Sequence, residues 1–251
     1  MSGKVLLKLG GSVITRKGGT CSPDTERLQE IAGVIQRYRT GLILVHGAGS
    51  CGHPEAEAYR LQKGIDGTNL AGVSVTHAAV RGLNDAVVCA LQECGVAAVG
   101  IHPLCAATAD RTRIASFDLH PLEGMLDLGI VPVLHGDVVM DRAQGACIVS
   151  GDQVLTYLAA ALAIPRVGLA TDVPGVLQGS RVVERLDRVT AHNLAIGSSM
   201  HTDVTGGMQG KVQELLMLAE RGIDSHIFHI TRLMDFFEHR DHGGTRVCRS
   251  T

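Results

Sequence analysis

The segment Val5-Leu6-Leu7-Lys8-Leu9-Gly10-Gly11-Ser12 bears most directly on the fold, because in it an apolar run ends on two glycines and a serine. Such a run predicts a strand, and the N–H groups of the glycine turn after it can gather into an anion-binding nest. Lys8, at the end of the strand, can add a full positive charge. A glycine-rich surface turn beside a solvated lysine explains the same residues equally well. The segment alone therefore predicts either a phosphate site or an ordinary turn.

Outward from this segment, short apolar runs alternate with stretches of helical period. That alternation is typical of a mainly parallel sheet covered by helices. The predicted strands are residues 5–9, 41–45, 97–101, 130–134 and 166–170, with a hairpin at 138–149. The predicted buried helix faces are Leu28/Ile31/Ala32/Ile35, Val80/Leu83/Val87/Leu91, Leu155/Leu158/Ala159/Leu162 and Val212/Leu215/Leu216/Ala219. We therefore predict an α/β fold, a three-layer α/β/α sandwich, with residues 1–251 forming one domain.

A second glycine loop, His46-Gly47-Ala48-Gly49-Ser50-Cys51-Gly52-His53, follows the second predicted strand. Its glycines fit G-x-G-x-x-G, the pattern of dinucleotide-binding folds, although that match is weak at this position in the chain. They also have the outer spacing of a P-loop, but His53-Pro54 stands where Lys-Ser/Thr is required, which excludes a normal Walker motif. The remaining interpretation is a phosphate cradle that ends in an imidazole, with Pro54 in the first turn of a helix.

A third loop, Asp203-Val204-Thr205-Gly206-Gly207-Met208-Gln209-Gly210-Lys211, precedes the last amphipathic helix. Glycines before a helix N-terminus, with a lysine one turn in, repeat the chemistry of an anion site. A lysine at such a place is also commonly just solvated. Three such loops in one chain are much less expected by accident than one, and together they predict a polyanionic ligand.

The stretch Ser150-Gly151-Asp152 lies at another predicted junction of strand and helix. Asp152 is either the N-cap of that helix or the carboxylate that holds two active-site lysines in position. A zinc site is not expected, because His46, Cys51 and His53 lack the usual ligand spacing. Four other histidines are predicted to be surface or hydrogen-bonded side chains: His102, His120, His192 and His242.

Composition limits the functions that the chain can have. Its net charge of −2 gives no basic field for nucleic acid or an anionic membrane. The longest apolar stretch, residues 155–164, is shorter than the roughly 20 residues of a membrane span. The first apolar run ends at Lys8, too early for a signal peptide. The seven cysteines form no C-x-x-C pair and are predicted to be reduced, mostly buried thiols, so we expect a cytoplasmic protein.

These motifs occur in a fixed order that resembles isopentenyl phosphate kinases of the amino-acid-kinase fold, from about residue 4 to Val247. The motifs are Lys8 to Ser12, Val13-Ile14-Thr15, His46 to Ser50, Gly52-His53, His135-Gly136-Asp137, Ser150 to Asp152, Thr171-Asp172, and Asp203 to Met208 with Lys211. His53 is the residue that separates this group from acetylglutamate, aspartate and uridylate kinases of the same fold.

The resemblance implies a role for each matching residue. The implied catalytic residues are Lys8, Lys17, His53, Asp152 and Lys211, with Lys17 over the transferred group and Asp152 organising Lys8 and Lys211. The implied nucleotide contacts are Lys8, Gly10, Gly11, Ser12, Gly49, Asp172, Gly206, Gly207 and Lys211. The implied acceptor contacts are Ala48, Gly52, His53, Ser150 and Gly151. An N-terminal part would bind the phosphate acceptor and a C-terminal part would bind ATP.

The implied reaction is in-line transfer of the ATP γ-phosphoryl group to isopentenyl phosphate. A phosphate monoester has a second pKa of about 6 and is largely a dianion at neutral pH, so no general base is required. The barrier is repulsion between two anions, which lysines, backbone N–H groups and His53 would lower. Mg²⁺ would be held largely by ATP oxygens without a protein ligand. The family is usually dimeric, which implies a homodimer.

One position departs from the family pattern, because Cys51 stands where an aromatic residue is usual, and this leaves the shape of the acceptor pocket open. Ala79, Val80 and Leu83 are expected to line a pocket for the hydrocarbon tail, with Ile148 opposite; the alternative is that they are ordinary helix core. Other functions stay open as well. They are a fosfomycin-type or other small-acid kinase of this fold, a nicotinamide-dependent oxidoreductase that uses residues 47–52, and a non-catalytic nucleotide sensor.

Overall fold

A computed structural model describes residues 3–16, 18, 21–193 and 207–250. Its strands are β1 (Val5–Leu9), β2 (Leu42–His46), β3 (Ala98–Gly100), β4 (Ala107–Asp110), β5 (Arg113–Phe117), β6 (Val131–His135), β7 (Asp137–Asp141), β8 (Gly145–Val149), β9 (Arg166–Thr171), β10 (Leu177–Gln178), β11 (Arg181–Val182), β12 (Arg185–Leu186), β13 (Ser225–His229) and β14 (Thr245–Val247). Its helices are α1 (Gly11–Ile14), α2 (Thr25–Ile35), α3 (His53–Ala58), α4 (Ala71–Glu93), α5 (Pro103–Ala106), α6 (His120–Asp127), α7 (Gly151–Ala161), α8 (Arg188–Asn193), α9 (Gly207–Glu220) and α10 (Leu233–Phe237).

The central sheet has the strand order β12-β14-β13-β9-β1-β2-β6-β3 within the described residues. Its neighbouring strands are parallel except for the antiparallel pair of β13 and β14. The prediction of a mainly parallel sheet is therefore confirmed. Because the strands are parallel, the carboxyl ends of β1, β2, β6 and β9 lie at one edge, and the loops that leave this edge can meet there.

Side chains that alternate along the strands form one core on each face of the sheet. On β1, Leu6 packs in a cluster with Leu155 of α7 and Leu215 of α9. Its neighbour Leu7 points to the other face and packs in a cluster with Ile31 of α2 and residues of α4. Each fully buried side chain of this kind contributes about 1.5–3 kcal/mol relative to an exposed one. The three-layer α/β/α sandwich is confirmed.

A second, four-stranded sheet with the order β5-β4-β7-β8 lies beside the carboxyl edge of the main sheet. The predicted hairpin corresponds to β7 and β8, which pair antiparallel with Asp141 opposite Gly145. The sequence prediction missed the other hairpin, β4–β5. Gln153 of α7 attaches that hairpin, because its Oε1 accepts from the Ile114 N–H (2.8 Å) and its Nε2 donates to the Thr112 carbonyl oxygen (3.1 Å).

The prediction that all the cysteines are reduced is wrong, because Cys21 and Cys51 form a disulfide. The expectation that they are mostly buried also fails among the free thiols, since Cys89 and Cys105 are exposed. The disulfide joins the segment before α2 to the second glycine loop, 30 residues later in the chain. No repeated cysteine motif connects these two positions, so the sequence pattern offered no signal for the pair.

Within the parts of the chain that the structure describes, no helix is long and apolar enough to cross a bilayer.

Candidate active site

The first two glycine loops pack against each other through their main chains at the carboxyl edge of the sheet. The Gly10 N–H donates to the Ala170 carbonyl oxygen (2.8 Å), and the Gly47 N–H donates to the Leu9 carbonyl oxygen (3.0 Å). A Cβ atom added at Gly11 would lie 2.2 Å from the Gly49 nitrogen, which is far inside any real contact distance. The loops therefore touch only because these positions are glycine. Their approach brings main-chain N–H groups together, as in an anion-binding nest.

Two hydroxyl groups fasten the loops in this arrangement. The Thr15 hydroxyl donates to the Gly11 carbonyl oxygen (2.9 Å) and accepts from the Ser50 N–H (3.2 Å), so it bridges the first loop to the second. The Ser12 hydroxyl donates to Oδ1 of Asp172, which follows β9 (2.9 Å). The predicted contacts Gly10, Gly11, Ser12 and Asp172 thus meet at one place, although they come from distant parts of the sequence.

Asp152 stands between the two lysines that the sequence singled out. Its Oδ1 lies 2.7 Å from Nζ of Lys8, and its Oδ2 lies 4.0 Å from Nζ of Lys211. Lys8 is only 4% exposed, and burial of a charge is costly unless an opposite charge and hydrogen bonds accompany it. Gly151 makes room for this pair, because a Cβ atom there would lie 3.1 Å from Cε of Lys8. We call Lys8, Asp152 and Lys211 the lysine–aspartate group.

The alternative role for Asp152, the N-cap of α7, is wrong. The cap is Ser150, whose hydroxyl accepts from the Gln153 N–H at 3.1 Å, and Asp152 is the second residue of the helix. A carboxylate in the first turn also interacts favourably with the positive end of the helix dipole. Ser150 releases Asp152 from capping, so its carboxylate is available to both lysines.

Lys211 approaches this group from α9. Gly207 is the first residue of that helix, and Nζ of Lys211 donates to its carbonyl oxygen at 3.3 Å. The lysine therefore folds back over the first turn of α9. Two predicted site residues, Lys17 and Gly206, lie outside the described residues, as does the rest of the segment 203–206.

His53 is the first residue of α3, directly after the second glycine loop, and it is partly buried. Gly52 caps the helix with a positive φ of 86°, and its N–H donates to Oε2 of Glu55 (2.8 Å). Pro54 lies in the first turn, as predicted. A Cβ atom at Gly52 would lie 2.5 Å from Cγ2 of Val80, so α4 packs directly on this loop.

The prediction that Leu83 lines the tail pocket, with Ile148 opposite, is wrong, because the two side chains belong to different apolar clusters. Leu83 is fully buried in the core cluster beneath the sheet, which is the helix-core alternative. Ile148 packs against a separate small cluster that is centred on Leu61 and Val138. Val73 and Leu104 pack against that same small cluster. An apolar patch therefore exists near the acceptor loop, and of the predicted lining it includes Ile148 but not Leu83.

A cavity of about 260 Å³ opens beside Asp152, between the two hairpins and α9. Its lining is mostly polar and includes Gln62, Thr112, Arg113, Gln144, Ile148, Ser150, Gln153, Gln213 and Glu214. Across it, Arg113 of β5 forms a two-bonded ion pair with Glu214 of α9, and the Nη2–Oε2 distance is 3.0 Å. Sequence reasoning missed Arg113, Gln153 and Glu214, since none of them belongs to a motif.

Four histidines form a row behind the glycine loops. His46 and His135 are fully buried and their rings stack 5.5 Å apart. Burial lowers the pKa of His46 to about 4 and lowers the pKa of His135 well below its usual value, so both are neutral at pH 7. Nδ1 of His102 lies 2.8 Å from His135, and His77 bonds to Asp137 (3.1 Å).

The four histidines predicted to be surface or hydrogen-bonded side chains fit that description. His120 and His192 are exposed, whereas His102 and His242 are hydrogen-bonded to His135 and His226. Among the described residues there is no group of three or more His, Cys, Asp or Glu side chains that could hold a metal ion.

Comparison with known proteins agrees with this geometry. The model of the amino acid kinase family matches residues 3–229. The isopentenyl phosphate kinase of Haloferax volcanii is 41% identical, with 89% of this chain and 90% of that protein covered. The enzyme of the same name from Methanothermobacter thermautotrophicus is 37% identical, and an acetylglutamate kinase of Chloroflexus aggregans is 30% identical. The first of these two alignments covers 90% of both chains, and the second covers 89% of this chain and 91% of the other.

A solved structure of an isopentenyl phosphate kinase superposes with a TM-score of 0.87 at 33% identity, covering 97% of this chain and 99% of the other. The match to the family model includes every glycine loop described above. The chain therefore belongs to the amino acid kinase family.

Proposed function

We propose that this chain transfers the γ-phosphoryl group of ATP to the phosphate of isopentenyl phosphate, giving isopentenyl diphosphate and ADP. One observation carries the proposal. The lysine–aspartate group lies beside two glycine loops, and the main chains of these loops are in direct contact. The relatives named isopentenyl phosphate kinase support the acceptor, at up to 41% identity.

The arrangement suits transfer between two anions better than acid–base chemistry. Phosphoryl transfer needs positioning and charge stabilisation more than proton abstraction. Lys8 and Lys211 supply two positive charges, and the Asp152 carboxylate lies close to both. Preorganised cations and N–H groups do not have to reorient as charge develops, which is why such sites lower barriers efficiently. The acceptor's phosphate is already a dianion, so the site requires no general base.

The roles follow the two sides of the site. We propose that the C-terminal part of the chain holds ATP, and that the N-terminal part holds the acceptor. The proposed ATP contacts are Lys8, Gly10, Gly11, Ser12, Gly49, Asp172, Gly206, Gly207 and Lys211. The proposed acceptor contacts are Ala48, Gly52, His53, Ser150 and Gly151, with Lys17 over the transferred group. The proposed seat for the hydrocarbon tail is the apolar patch near Val73, Leu104 and Ile148.

The oxidoreductase alternative has less support. A dinucleotide would require the G-x-G-x-x-G loop to present its main chain to a pyrophosphate. In this chain Gly11 of the first loop already lies against Gly49, at the distance that leaves no room for a Cβ atom. The second loop is therefore one half of a two-loop cradle. Addition of NADH and of ATP in separate melting experiments distinguishes these functions, because only the bound ligand stabilises the fold.

Three finer points belong to this proposal. Mg²⁺ would come with the ATP oxygens, because this ion keeps several waters and is usually held by substrate phosphates with few protein ligands. A homodimer is supported by β3, an edge strand whose Val99 is 41% exposed and whose open edge a second copy can join. A cytoplasmic location is supported by the exposed free thiols Cys89 and Cys105, whereas the disulfide is unusual for that compartment.

The test is an ADP-release assay with isopentenyl phosphate, dimethylallyl phosphate, fosfomycin and N-acetylglutamate as acceptors. We expect the highest kcat/KM with isopentenyl phosphate. His53→Ala should lose about 10²–10³-fold in kcat/KM for the acceptor while its ATP affinity changes little. His53→Gln should retain more, if the imidazole acts by hydrogen bonding. A higher kcat/KM with N-acetylglutamate or fosfomycin would disprove the proposed acceptor.

A further inference from the structure

Two neighbouring strands end in the same dipeptide and make the same contact there. β2 ends at His46 before Gly47, and β6 ends at His135 before Gly136. The two histidines lie opposite each other in the parallel register. In each case Nδ1 of the ring lies at hydrogen-bond distance from the carbonyl oxygen of the following glycine, at 3.0 Å for His46 and 2.9 Å for His135.

The partners of each ring define which nitrogen carries the proton. A carbonyl oxygen only accepts, so Nδ1 of His46 must donate to Gly47. Its Nε2 is then an acceptor, and the side-chain amide of Asn84 donates to it at 3.0 Å. Asn84 is fully buried and also donates to the Val133 carbonyl oxygen (3.3 Å), which fixes its orientation. The buried amide therefore locks His46 in the tautomer that holds Gly47.

His135 is locked in the same way by a different donor. Its Nδ1 faces the Gly136 carbonyl oxygen, so its Nε2 accepts, and Nδ1 of His102 is the donor at 2.8 Å. Burial favours the neutral form of both rings, and only a neutral ring has one N–H and one lone pair to make these two bonds.

The main-chain N–H and C=O groups of Gly47 and Gly136 all form hydrogen bonds. The Gly47 N–H donates to the Leu9 carbonyl oxygen (3.0 Å), and the Gly136 N–H donates to the His46 carbonyl oxygen (3.2 Å). The ring of His46 holds the C=O group of Gly47, and the ring of His135 holds the C=O group of Gly136. Because both main-chain polar groups of each glycine are bonded, the direction in which the chain leaves β2 or β6 is fixed.

That direction determines where the next N–H group points. In a trans peptide the C=O group and the following N–H group point in opposite directions, and the described chain contains no cis peptide. Holding the Gly47 carbonyl oxygen on the buried side therefore turns the Ala48 N–H away from His46, toward the cradle. Gly136 supports the start of α7, since a Cβ atom on it would lie 2.7 Å from the Gly151 nitrogen.

We propose that His46 and His135 are positioning residues, which orient the peptides after Gly47 and Gly136 so that the second glycine loop and the first turn of α7 receive the acceptor's phosphate. This inference rests on the proposed function for the identity of the acceptor. Both rings are fully buried, so they act through the main chain and not by contact with the substrate.

The test compares two amide replacements at His46. The amide nitrogen of asparagine falls near the position of Nδ1, whereas glutamine places its amide near Nε2. His46→Asn should therefore keep the bond to Gly47 and lose the bond to Asn84, and His46→Gln should do the opposite. We expect His46→Gln to lose about tenfold or more in kcat/KM for isopentenyl phosphate and His46→Asn to lose distinctly less, with KM for ATP within about twofold in both.

His135→Asn and His135→Gln provide the matched pair on the neighbouring strand, and the same order is expected. A merely structural role would lower the melting temperature of both variants without separating the acceptor KM from the ATP KM. Equal losses in the asparagine and glutamine variants, or a larger loss with asparagine, would overturn the proposal.

A second measurement does not depend on folding of the variants. Nitrogen NMR of the wild-type protein with labelled histidine should show His46 and His135 as neutral rings protonated at Nδ1. Protonation at Nε2 in either ring would overturn the inference for that ring. If the wild-type chain phosphorylates no acceptor, the proposed function fails, whereas the tautomers and the affinity of the same variants for inorganic phosphate still decide the positioning role.

Discussion

The glycine loops and the lysine–aspartate group lie side by side at one edge of the sheet, but different kinds of contact hold them together. The loops meet through main-chain atoms, and Gly11 lies so close to Gly49 that no side chain fits between them. The lysine–aspartate group consists of side chains, and its closest pair is separated by 144 residues in sequence. The contact between the loops depends on glycine having no side chain, and the lysine–aspartate group depends on the pairing of opposite charges.

This difference determines how each region should respond to mutation. A Cβ atom added at Gly11 would collide with the main chain of the other loop, and a second substitution cannot remove main-chain atoms. A changed charge can be compensated in principle by a second change nearby. The largest effects are expected where a charge is buried and lies at the proposed position of the transferred group.

The largest loss is expected for Asp152→Asn. The substitution keeps the shape of the side chain and leaves the Ser150 cap in place, but it removes the negative charge 2.7 Å from Lys8. Both lysines then lack the carboxylate that spaces them, so kcat should fall by about 10²–10³-fold. Steady-state kinetics with ATP and isopentenyl phosphate measures this loss.

The control for Asp152→Asn is Asp224→Asn at the opposite end of the sheet. Asp224 pairs with Arg246 at an exposed position, where the Nε–Oδ2 distance is 3.0 Å. Loss of an exposed pair should cost less than about 1 kcal/mol of stability and leave kcat unchanged. If Asp152→Asn lowered only the melting temperature and kept its kcat, the carboxylate would be structural and the comparison would fail.

The next largest loss is expected for Gly11→Ala. The added Cβ atom would lie 2.2 Å from the Gly49 nitrogen, so the two loops must separate. A displacement of about 1 Å at such a site costs about 100-fold in activity. We expect weaker binding of ATP and of the acceptor together, which calorimetric titration of each ligand measures.

Gly33→Ala in α2 is the matched control. A Cβ atom at Gly33 meets nothing within 4 Å, and alanine is the better helix former by about 0.5–1 kcal/mol. This variant should be slightly more stable and fully active. An equally active Gly11→Ala variant would show that the loops do not need their close contact.

The sequence was informative where local pattern determines structure. The period of α2 and α4 and the apolar run of β1 predicted the layers, because burial of one helix face or strand face is visible in the spacing of residues. The glycine loops were visible for a related reason, since close main-chain contact requires glycine itself. The glycines at residues 10–11 and 47–49 could therefore be singled out from the sequence, whereas the contact between the two loops could not.

The rest depended on contacts between distant positions. The inner strand β13 (Ser225–His229) was not predicted, because histidines at residues 226 and 229 interrupt its apolar run. The hairpin β4–β5 is short and largely exposed. Asp152 could be interpreted as a cap because its partner Lys8 is far away in sequence. The disulfide between Cys21 and Cys51 was missed for the same reason.

The smallest effect is expected at the ion pair between Arg113 and Glu214. Glu214 lies one turn after Lys211 on α9, and Arg113 lies on β5 at the far wall of the cavity. The pair therefore connects the helix that carries Lys211 to the hairpin beside Asp152. Its hydrogen bonds raise the pKa of Arg113, which remains charged at every pH of interest.

Arg113→Glu places two carboxylates opposite each other and should push α9 away from the hairpin. Because Arg113 is about half exposed, we expect only a threefold to tenfold fall in kcat/KM for ATP, roughly the effect of a partly screened pair. Glu214→Arg should give a similar fall. The double variant Arg113→Glu/Glu214→Arg should recover most of the activity, because the reversed pair can close the same gap. A double-mutant cycle measures this recovery as a coupling energy. Additive losses without recovery would show that the pair does not position α9, and that charge exchange is no more tolerated here than an added atom is between the glycine loops.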